Sequence, residues 1–271
     1  MVNVLSLGAV VGLAVLSLAA CKATTMTGTS VPTDDAPGSA ANLDSLSAVI
    51  AQNPRDAAAY NVRGTAYGQA GQYNQALEDF NIAIQLDPNF SPAYANRALV
   101  YRRLERPNDA FDDYNRAIQA DPGYAPAYVG RGNLYRLDGQ LDAALTDYNT
   151  AINIDPSDAQ AFHNRGLIYQ ALGNHQAAIV DFTSAIGLSP RSAAPYSGRG
   201  LSYLAIDDAK TALADFNEAV KLDRESYEAW TNQGLAWEAL GETTKAFAAF
   251  ARAANLNPKY AAARDGMKRT S

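Results

Sequence analysis

The sequence predicts an all-α fold, a solenoid of helix–turn–helix repeats, and three observations carry that prediction. Proline recurs at positions 54, 88, 122, 156, 190 and 258, a spacing of 34 with one position filled by Arg224. Aromatic residues, alanine and glycine recur in the same frame. Within each frame the apolar positions fall four and three residues apart, the spacing of one helix face, and do so twice. A period of this length points to a repeat architecture ahead of any other fold.

The N terminus comes before the repeats. Residues 4–20, VLSLGAVVGLAVLSLAA, carry no charge and end in small residues, as the apolar core of an export signal does. The run falls short of the ~20 apolar residues that a comfortable membrane-crossing helix needs. Leu18-Ala19-Ala20-Cys21 follows directly and resembles the bacterial lipobox. That resemblance implies cleavage of a signal peptide spanning 1–20 and acylation of Cys21, the single cysteine of the chain. Two acyl chains give stable anchoring where one is marginal. Met1-Val2-Asn3 departs from the pattern by lacking Lys or Arg. Lys22, in place of the aspartate that retains such proteins at the inner membrane, implies the outer membrane facing the periplasm. Residues 21–41 are rich in Thr, Ser, Pro and Gly and show no apolar period, so they are expected to be a flexible tether with a mean reach of about 25 Å.

Counting each repeat from 57, 91, 125, 159, 193 and 227 lays out the columns. Column 4 is Tyr60, Tyr94, Tyr128, Phe162, Tyr196 and Trp230; column 11 is Tyr67, Tyr101, Tyr135, Tyr169, Tyr203 and Trp237. Column 8 is Gly except at Ala98, column 20 is always Ala, and column 24 is Phe80, Tyr114, Tyr148, Phe182, Phe216 and Phe250. Columns 4, 8 and 11 share one helix face, and columns 20, 24 and 27 share another. Gly inside a helix costs about 1 kcal/mol relative to Ala. Its recurrence at column 8 is expected to reflect close approach to the column-20 alanines of the second helix. Gly71, Gly139, Gly173 and Gly241 mark the turn between the helices, and the prolines mark the end of the second helix.

This pattern of aromatic, Gly, Tyr, Ala, Phe, Ala and Pro resembles the tetratricopeptide repeat (TPR) family, whose fold is a superhelical solenoid. The resemblance divides the body into repeats at 57–90, 91–124, 125–158, 159–192, 193–226 and 227–260. Residues 42–56 match the second half of a repeat and are expected to form an N-terminal packing helix. Residues 261–271 begin a further first helix, with Arg264 in place of the aromatic and a basic end suited to a solvated cap.

Columns 7 and 23 change together. Column 7 is Arg63, Arg97, Arg131, Arg165 and Arg199, then Gln233; column 23 is Asp79, Asp113, Asp147, Asp181 and Asp215, then Ala249. The repeat that loses the arginine loses the aspartate. This predicts a two-pronged Arg–Asp pair between the two helices of one repeat. A pair with the preceding repeat fits worse, because Arg63 would face Ser45.

Composition narrows the function. A formal charge of −6 argues against nucleic acid as a partner. The two histidines, His163 and His175, are assigned to different helices and lack companion ligands, so no metal or other cofactor is expected. The glycines sit singly in repeat registers, with no phosphate-binding loop and no Gly-x-Ser-x-Gly elbow. No catalytic residue is assigned, and the chain is expected not to be an enzyme.

In TPR arrays the concave groove is lined by columns 2, 5, 6, 9, 12 and 13. The resemblance therefore assigns Asn96, Arg102, Arg103, Asn133 and Arg136 to the early groove, with Asn61, Thr65 and Gln69 beside them. His163, Asn164 and Gln170 fall in the middle, and Leu204 in an apolar later part with Ala205 and Ala239; Asn232 and Glu238 also fall there. The lysine-based clamp that some TPR proteins use for chaperone C termini is absent, since column 5 holds no lysine. The basic cluster of Arg102, Arg103 and Arg136 is the expected contact for a partner. Exported TPR lipoproteins of the NlpI type, which recruit envelope proteases and peptidoglycan hydrolases, resemble this combination of lipobox and repeats. The expected role is a membrane-tethered adaptor for envelope proteins or peptide segments. The competing expectation is an assembly factor, such as a pilus secretin pilotin or a component of outer-membrane protein assembly. An envelope enzyme with unrecognised chemistry stands third.

Overall fold

The structure is a computed structural model that describes residues 38–271. The expected signal segment, Cys21 and most of the expected tether lie outside the described residues. Fourteen helices and no strand make up the described part. Helix α1 spans Ala40–Gln52. Six pairs follow: α2 (Ala57–Gln69) with α3 (Tyr73–Leu86), α4 (Ser91–Arg103) with α5 (Pro107–Ala120), and α6 (Ala125–Leu137) with α7 (Leu141–Ile154). Then come α8 (Ala159–Ala171) with α9 (His175–Leu188), α10 (Ala193–Ala205) with α11 (Ala209–Leu222), and α12 (Tyr227–Ala239) with α13 (Thr243–Leu256). Helix α14, Ala261–Thr270, closes the chain. Helix α1 begins at Ala40, two residues inside the segment expected to be tether, because Ser39 caps it by accepting from the amide of Asn42.

Each first helix ends in a Schellman motif. The column-16 amide donates to the column-11 carbonyl, as in Gln72 N to Tyr67 O at 2.9 Å and Gln140 N to Tyr135 O at 2.8 Å. The motif needs a left-handed residue at column 15. Glycine supplies it at Gly71, Gly139, Gly173 and Gly241, with φ of 73–76°; Glu105 and Asp207 adopt it at 57° and 63°. After four of the second helices the next column-4 side chain fastens the loop. Tyr94 and Tyr128 donate to the carbonyls of Pro88 and Pro122, each at 3.2 Å. Where Arg224 replaces proline, the indole of Trp230 donates to its carbonyl instead, at 2.9 Å.

The column-20 alanines are fully buried, and so are the column-24 rings. Most column-8 glycines lie beneath the ring of their own repeat rather than against the column-20 alanines. A Cβ at Gly132 would sit 2.9 Å from Tyr148, and one at Gly200 would sit 2.6 Å from Phe216. The tightest approach crosses a repeat boundary: a Cβ at Gly130 would fall 2.2 Å from the Tyr114 ring.

Packing decides which helices face inward. The two helices of a repeat pack on each other, and each second helix packs on the next first helix. First helices also touch the next first helix, from α2 on α4 to α12 on α14, whereas no second helix touches the next second helix. First helices are therefore crowded on the inside of the curve and line the concave face.

The Arg–Asp columns form the expected pairs. Arg131 Nε donates to Asp147 Oδ2 at 2.8 Å and Nη2 to Oδ1 at 2.7 Å, and the same fork recurs in the first five repeats. Rings of columns 4 and 11 flank the guanidinium; Arg131 lies 5.7 Å from the Tyr128 ring centroid and 5.9 Å from that of Tyr135. The preceding repeat takes part as well, through column 25 rather than the position facing Ser45. Nη1 of Arg131 donates to Asn115, that of Arg165 to Asn149 and that of Arg199 to Thr183. Gln233 retains this inter-repeat bond, to Asn217 at 2.8 Å, beside a buried Ala249.

Candidate functional site on the concave face

The repeat register places the basic candidates on neighbouring first helices. Arg102 and Arg103 end α4 and Arg136 ends α6, where cations also favour the helix dipole. None of the three forms an ion pair among the described residues, although the chain is acidic overall. Arg103 is exposed, whereas Arg102 and Arg136 are half-buried.

Arg102 and Arg136 stand beside two tyrosine hydroxyls that four of the six repeats lack. Column 24 is tyrosine at 114 and 148 and phenylalanine elsewhere. Burial pushes both phenols up to about 12; the Arg102 charge opposes this at Tyr114, and Arg136 followed by Arg102 opposes it at Tyr148. The Tyr148 hydroxyl donates to Asn133 Oδ1 at 2.8 Å. Tyr114 has no such acceptor, because its repeat carries Leu99 at the position of Asn133. His163, on α8, packs against Phe182 with the rings tilted by 52° and their centroids 5.6 Å apart. Burial and then the Arg136 charge hold His163 down to about 4, so its imidazole is neutral near pH 7.

Six buried side-chain polar atoms have no hydrogen-bond partner among the described residues, and four belong to this strip: Tyr114 Oη, Arg136 Nε, His163 Nδ1 and Asn164 Nδ2. Native structures leave few such groups unpaired. Next to the strip, Arg102 also lines a cleft of about 620 Å³ at the turns of repeats 2 and 3, walled by Phe111, Leu134, Tyr135 and Leu137.

The remaining candidates join repeats to one another. Asn96 donates to Asn61 and Thr65, and Gln170 donates to the Gly198 carbonyl and the Ser202 hydroxyl, both at 3.0 Å. Asn133 is buried and engaged by Tyr148. Leu204 does not form an open apolar groove; it is half-buried against Ala212, Phe216 and Ala236. Glu238 is held by a two-pronged bond from Arg269. The exposed apolar surface beside the arginines is instead at Leu99 and Leu137. Among the described residues no group of three His, Cys, Asp or Glu side chains is placed to hold a metal, and no helix is long and apolar enough to cross a membrane.

Tetratricopeptide-repeat family models match residues 57–90, 91–124 and 159–192, and further models of the same repeat match 113–146, 132–173 and 197–263. The chain belongs to the tetratricopeptide-repeat family. TPR proteins mediate protein–protein interaction. No curated protein matches the chain. Among solved structures, this TPR protein is similar to a chain of the APC/C hetero-tetramer Cut9-Hcn1, with a TM-score of 0.74 and 18% identity over 89% of this chain; it spans about half, 49%, of that chain. It is similar to PilW, a type IV pilus biogenesis factor, with a TM-score of 0.69 and 17% identity over 77% of this chain and 97% of PilW. It is also similar to YrrB, a TPR protein with an unusual peptide-binding site, with a TM-score of 0.52 and 20% identity over 69% of this chain and 96% of YrrB. At these identities the likeness is one of fold.

Proposed function

We propose that this TPR protein is a membrane-tethered adaptor that recruits envelope proteins, proteases or peptidoglycan hydrolases among them, to its concave face. The observation that carries this reading is the strip at repeats 2 to 4, where Arg102 and Arg136 have no acidic partner among the described residues of a chain of net charge −6. An unpaired basic strip on an acidic body speeds encounter with acidic segments. The Leu18-Ala19-Ala20-Cys21 run supports tethering through a lipid on Cys21, and the residues up to Gly38 supply the standoff. The array acts as a scaffold in this reading, and a carboxyl-bearing segment needs neither cofactor nor metal to dock. Crosslinking in intact envelopes followed by pull-down tests it. Hydrolase or protease partners lost on Arg136→Gln support the adaptor; an unchanged partner set in that variant refutes the use of this face.

The second reading is an assembly role in the envelope, as a pilotin or an outer-membrane assembly component. Its support is that the array matches nearly the full length of PilW, a type IV pilus biogenesis factor. Secretin or barrel subunits among the crosslinked proteins would favour it.

A further inference from the structure

We propose that the cleft at the turns of repeats 2 and 3 binds an N-acetylated sugar within a saccharide chain. At about 620 Å³ the cleft has the size of an ordinary ligand site. Of its lining only Arg102 and Leu137 belong to the groove columns. The rest comes from the two turns and from the helix ends beside them, so the cleft lies at the turns rather than along the concave surface.

The repeat register breaks at this spot three times. Column 21 is aliphatic in four repeats, but here it is Phe111, whose ring meets that of Tyr135 edge-on with centroids 4.9 Å apart. Column 13 is alanine in each of the last three repeats, but here it is Leu137, 55% exposed. Column 15 is glycine in four repeats, but here Glu105 holds it at a φ of 57°. The other exception, Asp207, is of a residue type that enters the left-handed region more readily. Strain of this kind persists where a side chain is used, and Glu105 lines the cleft.

The polar lining mixes both hydrogen-bonding senses. Arg102 donates only, Glu105 and Asp138 accept only, and Asn108 and Gln140 do both. Among the described residues the side chains of Arg102, Glu105 and Asn108 make no hydrogen bond, and Asp138 accepts one, from Gln140 at 2.6 Å. A charged ligand would meet attraction and repulsion together in such a cleft. A purely apolar one would use the rings and leave the polar ends unsatisfied. A pyranose ring suits both parts of the lining. Its hydroxyls each donate and accept, and its C–H faces pack on aromatic and aliphatic side chains. An acetamido group adds an amide N–H and C=O within the repertoire of Asn108 and Gln140, and a methyl that suits Leu134 and Leu137.

The test titrates the full chain, in a detergent without a sugar headgroup, with two probes. Chitotriose carries three β-linked N-acetylglucosamine units, and cellotriose is the same chain without acetamido groups. Calorimetry reads affinity, and saturation-transfer NMR reads which ligand protons touch the protein. Chitotriose should bind with a Kd of about 1 mM or tighter, with its acetyl methyl most strongly saturated, and cellotriose should bind about fivefold more weakly or worse. Phe111→Leu copies column 21 of repeats 1, 3 and 5, so it keeps the fold; it should cost about fivefold in affinity. Phe247→Leu, the same change outside the cleft, should cost nothing. Glu105→Gly should lose about threefold or more while the melting temperature rises, which separates lost binding from lost folding. No saturable binding of chitotriose, equal binding of cellotriose, equal losses at Phe111→Leu and Phe247→Leu, or unchanged affinity in Glu105→Gly would each overturn the proposal. The site does not rest on the envelope reading, but the source of its sugar does. Co-sedimentation with purified wall sacculi, or binding to lipopolysaccharide instead, would identify that source. Chitotriose binding with neither would count against the envelope reading and leave the site standing.

Discussion

Arg131 and Asp147 join the two helices of one repeat by two parallel hydrogen bonds, with the aspartate side chain 4% exposed and the arginine 20%. Removing one partner strands a buried charge, which costs more than removing both. Asp147→Ala should destabilise by about 3 kcal/mol. The double variant Arg131→Gln, Asp147→Ala reproduces the arrangement of Gln233 and Ala249 and should recover at least half of that loss. Denaturant melts of both variants decide it; equal losses would mean that the guanidinium is solvated and unpaired.

Glu105 holds a left-handed conformation that four sister repeats give to glycine. For a residue with a Cβ this costs about 1–2 kcal/mol. Glu105→Gly should therefore raise stability by up to about 1 kcal/mol after allowance for the freer unfolded chain. Gly139→Ala should lower it by a similar amount although its Cβ would meet nothing within 4 Å, so the loss is purely one of backbone conformation. Thermal melts of the two variants should move in opposite directions.

His163 titrates near 4 in the folded chain, against an ordinary 6.5. Between these values the unfolded chain binds a proton that the folded chain refuses. Stability therefore rises with pH across that window and is lost as pH falls through it. The loss by pH 4 is on the order of 3 kcal/mol. His163→Gln should flatten this part of the melting-temperature profile. Parallel profiles for the two proteins would show that the ring is solvated.

Charge reversal at the groove should act on binding rather than on folding. Arg102→Glu with Arg103→Glu should weaken the capture of acidic peptides, most strongly at low salt, with the circular dichroism unchanged. Leu204→Asp should instead lower the melting temperature by several degrees, since Leu204 packs against Phe216 and Ala236. A salt series on the first variant and a melt on the second separate the two roles.

Cys21→Ser should release the protein from the membrane fraction if the lipid is its anchor. Retention after a salt wash would dismiss the lipobox reading.

The fold was legible because packing fixes the identity of each column independently of its neighbours. An alanine buried to 0% in six consecutive repeats, as at Ala144, admits nothing larger, and glycine under the Tyr148 ring follows the same logic. The Arg–Asp pairing was legible because both members vanish together at Gln233 and Ala249. The expectation that Gly opposes the column-20 alanines missed the ring, which column spacing alone does not locate. The groove was less legible. Whether Asn96 or Gln170 is free or bonded to the next repeat depends on the rotation between repeats, which periodicity does not encode. The most informative signal was in plain view: tyrosine for phenylalanine at 114 and 148, with Leu99 and Asn133 differing at column 9. It reads as a missing acceptor once the structure brings the two columns together.

The third nitrogen of each column-7 arginine gives the array a direction. Arg97 needs Asn81 of the repeat before it, Arg131 needs Asn115, and Arg63 finds its acceptor in Ser47 on α1, at 3.1 Å. Each latch points backward along the chain, and none waits for a segment still to come. A ribosome releases the chain in that same order, so every new helix pair arrives opposite a catch that is already set. Helix α1 is thus the starter of a one-way zipper, and deletion of Ala40–Gln52 should slow the closing of the first repeat more than loss of α14 slows the last.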